Sequence, residues 1–256
     1  YEMNKLKLAQ CPEVAELLSV LEQNGLHKEQ DEVKSLVSYI DEMETRLSAM
    51  NEELTQMHRE ISTIRDSTLK ARCEKLISGA EKHLQQMKTA VMTVKDNFVR
   101  AATNAVSAFK DKGKEALCRA LTAMRIPALL ETLKGGFDRS AENARKSAER
   151  LDEIGVELHK AGAHIRGAGR AMLGKPAKEA AELEHDKGVL ARARSVMLRI
   201  GSSLSALAEK TERLAEKLTP DRGASETRSS VKGELRVLKS EQQPKEPVSM
   251  PLEQAR

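Results

Sequence analysis

Tryptophan is absent from the chain, and two tyrosines and three phenylalanines are the whole aromatic complement of its 256 residues. A β-sandwich, a barrel or an α/β sheet would lack the large side chains that usually fill such cores. Cysteine is scarce as well: Cys11, Cys73 and Cys118 are odd in number and far apart, which suggests neither a disulfide framework nor a zinc knuckle and fits a reducing compartment. No run approaches the roughly 18 uninterrupted apolar residues of a membrane span. The first residues show no basic region leading into an apolar stretch, the mark of a secretory leader. A soluble, cytoplasmic protein is expected. What the chain does have in quantity is Ala, Leu, Met, Glu, Lys and Arg, all strong helix formers.

The net charge is +4, unevenly spread. Residues 1–75 carry ten Lys/Arg against fifteen Asp/Glu, and residues 76–256 carry thirty-three against twenty-four. An acidic front precedes a basic body. Such a body is either a solvated surface or a place for an anionic partner such as nucleic acid or a membrane surface.

Pro12 suits a first helical turn, Val14, Leu17, Leu18 and Leu21 follow at helical spacing, and Asn24-Gly25 supplies a stop. From there the pattern tightens. Val33, Leu36, Ile40, Met43, Leu47, Met50, Leu54, Met57, Ile61 and Ile64 alternate steps of three and four without a miss, which is a heptad seam. Burying ten such side chains is worth on the order of 15 to 30 kcal/mol as an upper bound. A later helix of the same chain, a second copy or a partner protein must therefore cover it. The Met and Leu content packs adaptably and specifies an oligomeric state poorly.

The frame slips near Lys75 and resumes through Ile77, Ala80, Leu84, Met87, Val91, Val94, Phe98, Ala101 and Ala105. Lys112-Gly113-Lys114 is a break, a helix is expected over 115–126, and Pro127 starts another segment that Gly135-Gly136 should close. Asp138 is a candidate N-cap for the next helix, and Gly174-Lys175-Pro176 separates that helix from one running to about Leu218. Residues 219–256, rich in Ser, Thr, Pro, Lys and Glu, read as a disordered tail.

Three phrases carry a resemblance: PEVAELLSVLEQNG from Pro12 to Gly25, AFKDKGKEALCRAL from Ala108 to Leu121, and ELHKAGAHIRGAGRAMLGK from Glu157 to Lys175. Together they resemble an uncharacterised family of helical proteins carried on conjugative and other mobile elements of gut Firmicutes, over roughly residues 10–180. The resemblance implies a bacterial, cytoplasmic setting and nothing about catalysis.

Candidate chemistry is thin. Gly169 to Lys175 spells G-x-x-x-x-G-K, but Pro176 stands where a magnesium-binding hydroxyl belongs and no strand precedes it. His159 and His164 point about 140° apart on a helix, a poor metal pair. Gly155, Gly162, Gly167, Gly169 and Gly174 each cost about 1 kcal/mol in a helix, so close packing against another helix, a hinge or a partner backbone should explain them. Lys187, Arg192, Arg194 and Arg199 form a basic stripe that could hold phosphates, though no aromatic interleaves for base stacking.

The expectation is an all-α protein: a short N-terminal helix (1–27), a coiled-coil arm (28–75), an antiparallel helical bundle (76–218) and a disordered C-terminal tail (219–256). It is read as a non-enzymatic interaction or scaffold protein without cofactor or metal, engaging itself or another helical protein through the arm. A DNA-associated accessory of a mobile element and a membrane-surface helical protein are the alternatives.

Overall fold

The computed structural model describes residues 7–124, 126–174 and 188–218. Among them are six α-helices and one short 3-10 turn, with no strand: α1 Pro12–Gln23, α2 His27–Ser62, α3 Ser67–Lys112, α4 Lys114–Ala123, α5 Ile126–Met172 and α6 Val189–Leu218. The all-α reading holds. The expected tail, 219–256, lies outside the described residues, as does the stretch 175–187.

Helix boundaries follow local chemistry. Pro12 opens α1 in its first turn, and Gly25, at φ +67°, ends it with a backbone conformation that only glycine adopts at no steric cost. The turn between α2 and α3 falls at 63–66, not near Lys75. There the Asp66 carboxylate accepts hydrogen bonds from the backbone N–H groups of Thr68 and Leu69, both at 2.9 Å, and caps α3. Gly113, at φ +75°, closes α3 where the sequence places a break. The pair Gly135-Gly136 does not close a helix, because α5 runs straight through it. Burial of Leu130, Leu133 and Phe137 on one face outweighs the roughly 1 kcal/mol that each glycine costs.

Cross-helix pairs set the topology. Glu44 meets Lys95 and His58 meets Glu81, so α2 and α3 run antiparallel. Arg72 meets Glu157 and His83 meets Asn143, so α3 and α5 do too. Asp152 with Arg194 and Lys134 with Glu212 orient α6 against α5. Glu53 with Arg199 and Glu42 with Lys210 close the ring between α6 and α2. The four long helices thus form an up-down-up-down bundle in chain order. Helices α1 and α4 pack on the far end of α3, burying Val14, Leu17, Leu21 and Leu117.

Bundle sides differ in spacing. Between α5 and α6 the facing residues are small, with Ala141, Ala144, Ala148, Ala193 and Gly201 all buried. A Cβ on Gly201 would sit 3.4 Å from the Ala141 carbonyl oxygen, which shows how near the backbones come. The α2 side is lined by Leu, Ile and Met and stands farther off.

One buried polar group ties two long helices together. Tyr39 donates its hydroxyl to the Leu207 carbonyl at 2.6 Å and lies 2.7 Å from the Thr211 hydroxyl, tying α2 to α6. Burial, above all, pushes the Tyr39 hydroxyl up to about 12 from an ordinary 10. The folded chain keeps this proton where the unfolded chain releases it. Its stabilising contribution is complete below pH 10 and is lost as pH rises towards 12. Tyr39→Phe should therefore flatten the decline in Tm between pH 10 and 12 relative to wild type, as followed by thermal circular dichroism.

Candidate functional site

The seam is spent inside the chain. Val33, Leu36, Ile40, Met43, Leu47, Met50, Leu54, Met57 and Ile61 are all buried, and Ile64, at the turn, is partly buried against the same core. Helices α3 and α6 of the same chain cover it. The expectation that this face meets an outside partner is thus corrected by geometry: a partner reaches it only by prising the bundle open. The arm and the bundle are one compact unit rather than two parts.

The basic stripe does not gather into an anion site. Arg192 and Arg199 face α2, at 3.5 Å from Glu60 and 3.3 Å from Glu53, whereas Arg194 turns towards α5, at 3.4 Å from Asp152. Each guanidinium already has a carboxylate beside it. Lys187 lies outside the described residues. These contacts between exposed or half-exposed groups fix helix register more than they stabilise. Glu42 does similar work: the hydrogen bond from Lys210 holds its carboxyl below the usual range, with Arg46 beside it.

The glycines expected to mark close packing do not do so. A Cβ built on Gly155, Gly167 or Gly169 would meet nothing within 4 Å, and at Gly162 it would meet only the side chain of Arg166. Close approach falls instead at Gly201 and at Gly136, where a Cβ would come within 2.7 Å of the Met87 sulfur. His159 and His164 belong to no metal cluster: among the described residues no group of three or more His, Cys, Asp or Glu could hold an ion. All three cysteines are free. No described helix is long and apolar enough to cross a membrane.

What remains is the distal end of α5. The pair Arg194–Asp152 sets the α5/α6 register, so the first turn of α6 at Val189 lies beside Glu157 or thereabouts. Yet α5 continues to Met172, which at 1.5 Å per residue carries it about 22 Å beyond the described part of α6. Its core stripe continues too. Leu151 and Ile154 are buried, and at the same helical spacing Leu158, Ile165 and Met172 follow at 47%, 74% and 90% exposure, with Leu173 at 72%. Leu198 is the other large apolar side chain that is this exposed among the described residues. Between Leu158 and Gly174 there is no Asp or Glu, while Lys160, Arg166 and Arg170 add positive charge. This end is an amphipathic, cationic helix face with open notches at its glycines.

A model of a family of unknown function, DUF6674, matches residues 10–255. The chain belongs to this family. The match spans nearly the whole sequence and takes in the residues of the bundle and of the distal end of α5. No curated protein and no solved structure matches the chain.

Sequence reasoning singled out the distal end of α5 by its glycines, Gly155 to Gly174, as a place where a partner backbone could come near, but missed its apolar stripe, which is diluted by Gly and Ala. The signal that could have found it is the continuation of the α5 seam, at steps of three and four, past the last acidic residue, Glu157.

Proposed function

We propose that this DUF6674 protein is a non-enzymatic interaction protein whose bundle holds out the distal end of α5 to an acidic, helical partner. One observation carries the reading: an apolar stripe buried through Ile154 continues into the open as Leu158, Ile165 and Met172, on a segment with cations and no carboxylates. Helical packing is the use that the same stripe already has inside the bundle, and the charge favours a partner bearing Asp or Glu. Two facing copies of this segment would oppose cation to cation, which disfavours self-pairing. The setting proposed with it is a bacterial cytoplasm and a mobile element, supported by the three phrases that resemble such proteins. A role on DNA is less well supported, because Arg192, Arg194 and Arg199 already face carboxylates.

The test is the double variant Ile165→Glu, Met172→Glu. Being exposed, these positions should leave Tm within about 2 °C of wild type. Cross-linking of a bound partner through Lys160, mapped by mass spectrometry on the full chain, should disappear. A fall in Tm of the size expected for a core substitution would mean that another part of this chain covers the stripe, and the reading would fail. Flotation of wild type, but not of the variant, with anionic vesicles would replace the protein partner by a membrane surface.

A further inference from the structure

Between α3 and α5, on the side of the bundle away from α2, lies an open groove of about 520 Å³. It exists because the residues that would fill it are small. Gly79, Ala80, Ser140, Asn143 and Ala144 line it, and a Cβ on Gly79 would meet nothing within 4 Å. Through the gap the groove reaches Ile200 and Leu204 of α6, so its floor is the apolar core itself.

The walls are polar in a particular way. Ser140 is only 6% exposed, and its hydroxyl has no hydrogen-bond partner among the described residues. Next to it the Asn143 side-chain amide lies 3.2 Å from His83 Nε2. The rim is cationic. Arg72 and Lys146 are each within ion-pair distance of a carboxylate, Glu157 at 2.9 Å and Glu142 at 3.3 Å. Lys75 on α3 and Arg150 on α5 stand at the same level of the antiparallel pair, and neither has an ion-pair partner among the described residues. Glu153 is the one carboxylate among the lining residues. An apolar floor beneath two facing cations forms a combination that a plain packing gap does not require.

We propose that this groove binds a small amphiphilic anion, an alkyl or acyl chain ending in a phosphate or carboxylate. The head group meets Lys75 and Arg150, and the tail runs from there along Leu76, Gly79 and Leu84 towards Ser140. The volume suits a ligand of this size. A nucleotide or nucleic acid is disfavoured because no aromatic ring lines the groove for a base to stack on. The inference is independent of the distal end of α5.

The experiment is calorimetric titration of the full chain with decyl phosphate below its micelle concentration, with decyl glucoside and inorganic phosphate alongside. Decyl phosphate should bind one-to-one, with Kd below about 100 µM and at least about tenfold tighter than either control. The pair Lys75→Gln, Arg150→Gln should weaken it about tenfold or more. Gly79→Leu, which puts a helix-favouring side chain into open space, should abolish binding while Tm holds or rises. Equal affinity for the uncharged glucoside would overturn the proposal, as would undiminished binding by Gly79→Leu or no saturable binding up to about 1 mM. Binding to phosphatidylglycerol vesicles that survives Gly79→Leu, with no binding of free decyl phosphate, would mark surface adsorption and overturn it equally.

Discussion

Leu54→Asp is expected to unfold the bundle. Leu54 has no exposed surface and sits on the α2 stripe that α3 and α6 cover. Truncation to Ala would by itself cost about 3 kcal/mol and lower Tm by about 6 to 12 °C for a domain of this size. An aspartate adds a charge with no partner in an apolar site, and the combined penalty, above about 5 kcal/mol, is comparable with the whole stability of an ordinary domain. Far-UV circular dichroism should show a large loss of helix at 25 °C, and limited proteolysis should cut within α2. Were the stripe instead reserved for an outside partner, the variant would keep the Tm of the wild type and lose only its binding. The two substitutions, Leu54→Asp and the Ile165/Met172 pair, thus separate a stripe that holds the chain together from one that the chain leaves open.

Much of this was legible in the sequence, and what was not has physical causes. Every residue from Val33 to Ile61 that the heptad steps select is buried, since a face of ten large apolar groups leaves the chain no other choice. The same steps cannot distinguish a continuous rod from a hairpin, because both helices of a hairpin keep the period. The turn at 63–66 was signalled only locally, by Asp66 ahead of Ser67 and Thr68, and a cap of about 1 kcal/mol is easily hidden beside a seam worth far more. In α5 the error ran the other way. Gly135-Gly136 looked like a stop, but glycine only raises the cost of a helix, and Phe137 with its neighbours outweighs that cost. Among the candidate site residues, the basic stripe at Arg192, Arg194 and Arg199 was visible as charge, whereas the carboxylates opposite come from two other helices and have no mark in the linear pattern. The groove was invisible for the same reason: Gly79 and Ser140 are ordinary small residues until the fold brings them to the walls of one groove.

The ion pair between Lys95 and Glu44 should behave oppositely under single and double substitution. Lys95 is 3% exposed and its ammonium donates to a Glu44 oxygen at 2.9 Å, with the Glu44 side chain a quarter exposed. Lys95→Ala leaves a largely buried carboxylate without this cation and opens a gap beside it, at an expected cost of about 3 to 5 kcal/mol. Lys95→Met with Glu44→Leu removes both charges and keeps the volume, so its stability should match or exceed wild type. The comparison, by urea unfolding with Tm as a second measure, decides what the pair is for. Met43, Met50, Met57 and Met87 make the α2/α3 contact adaptable and therefore poor at fixing its own register. A buried charge pair rejects registers that would leave either charge alone. The doubly apolar variant should then keep its melting point but show added or broadened amide resonances along α2 and α3. A single sharp set of resonances would mean that the shape of the core alone holds the register, and the pair would then be dispensable to it.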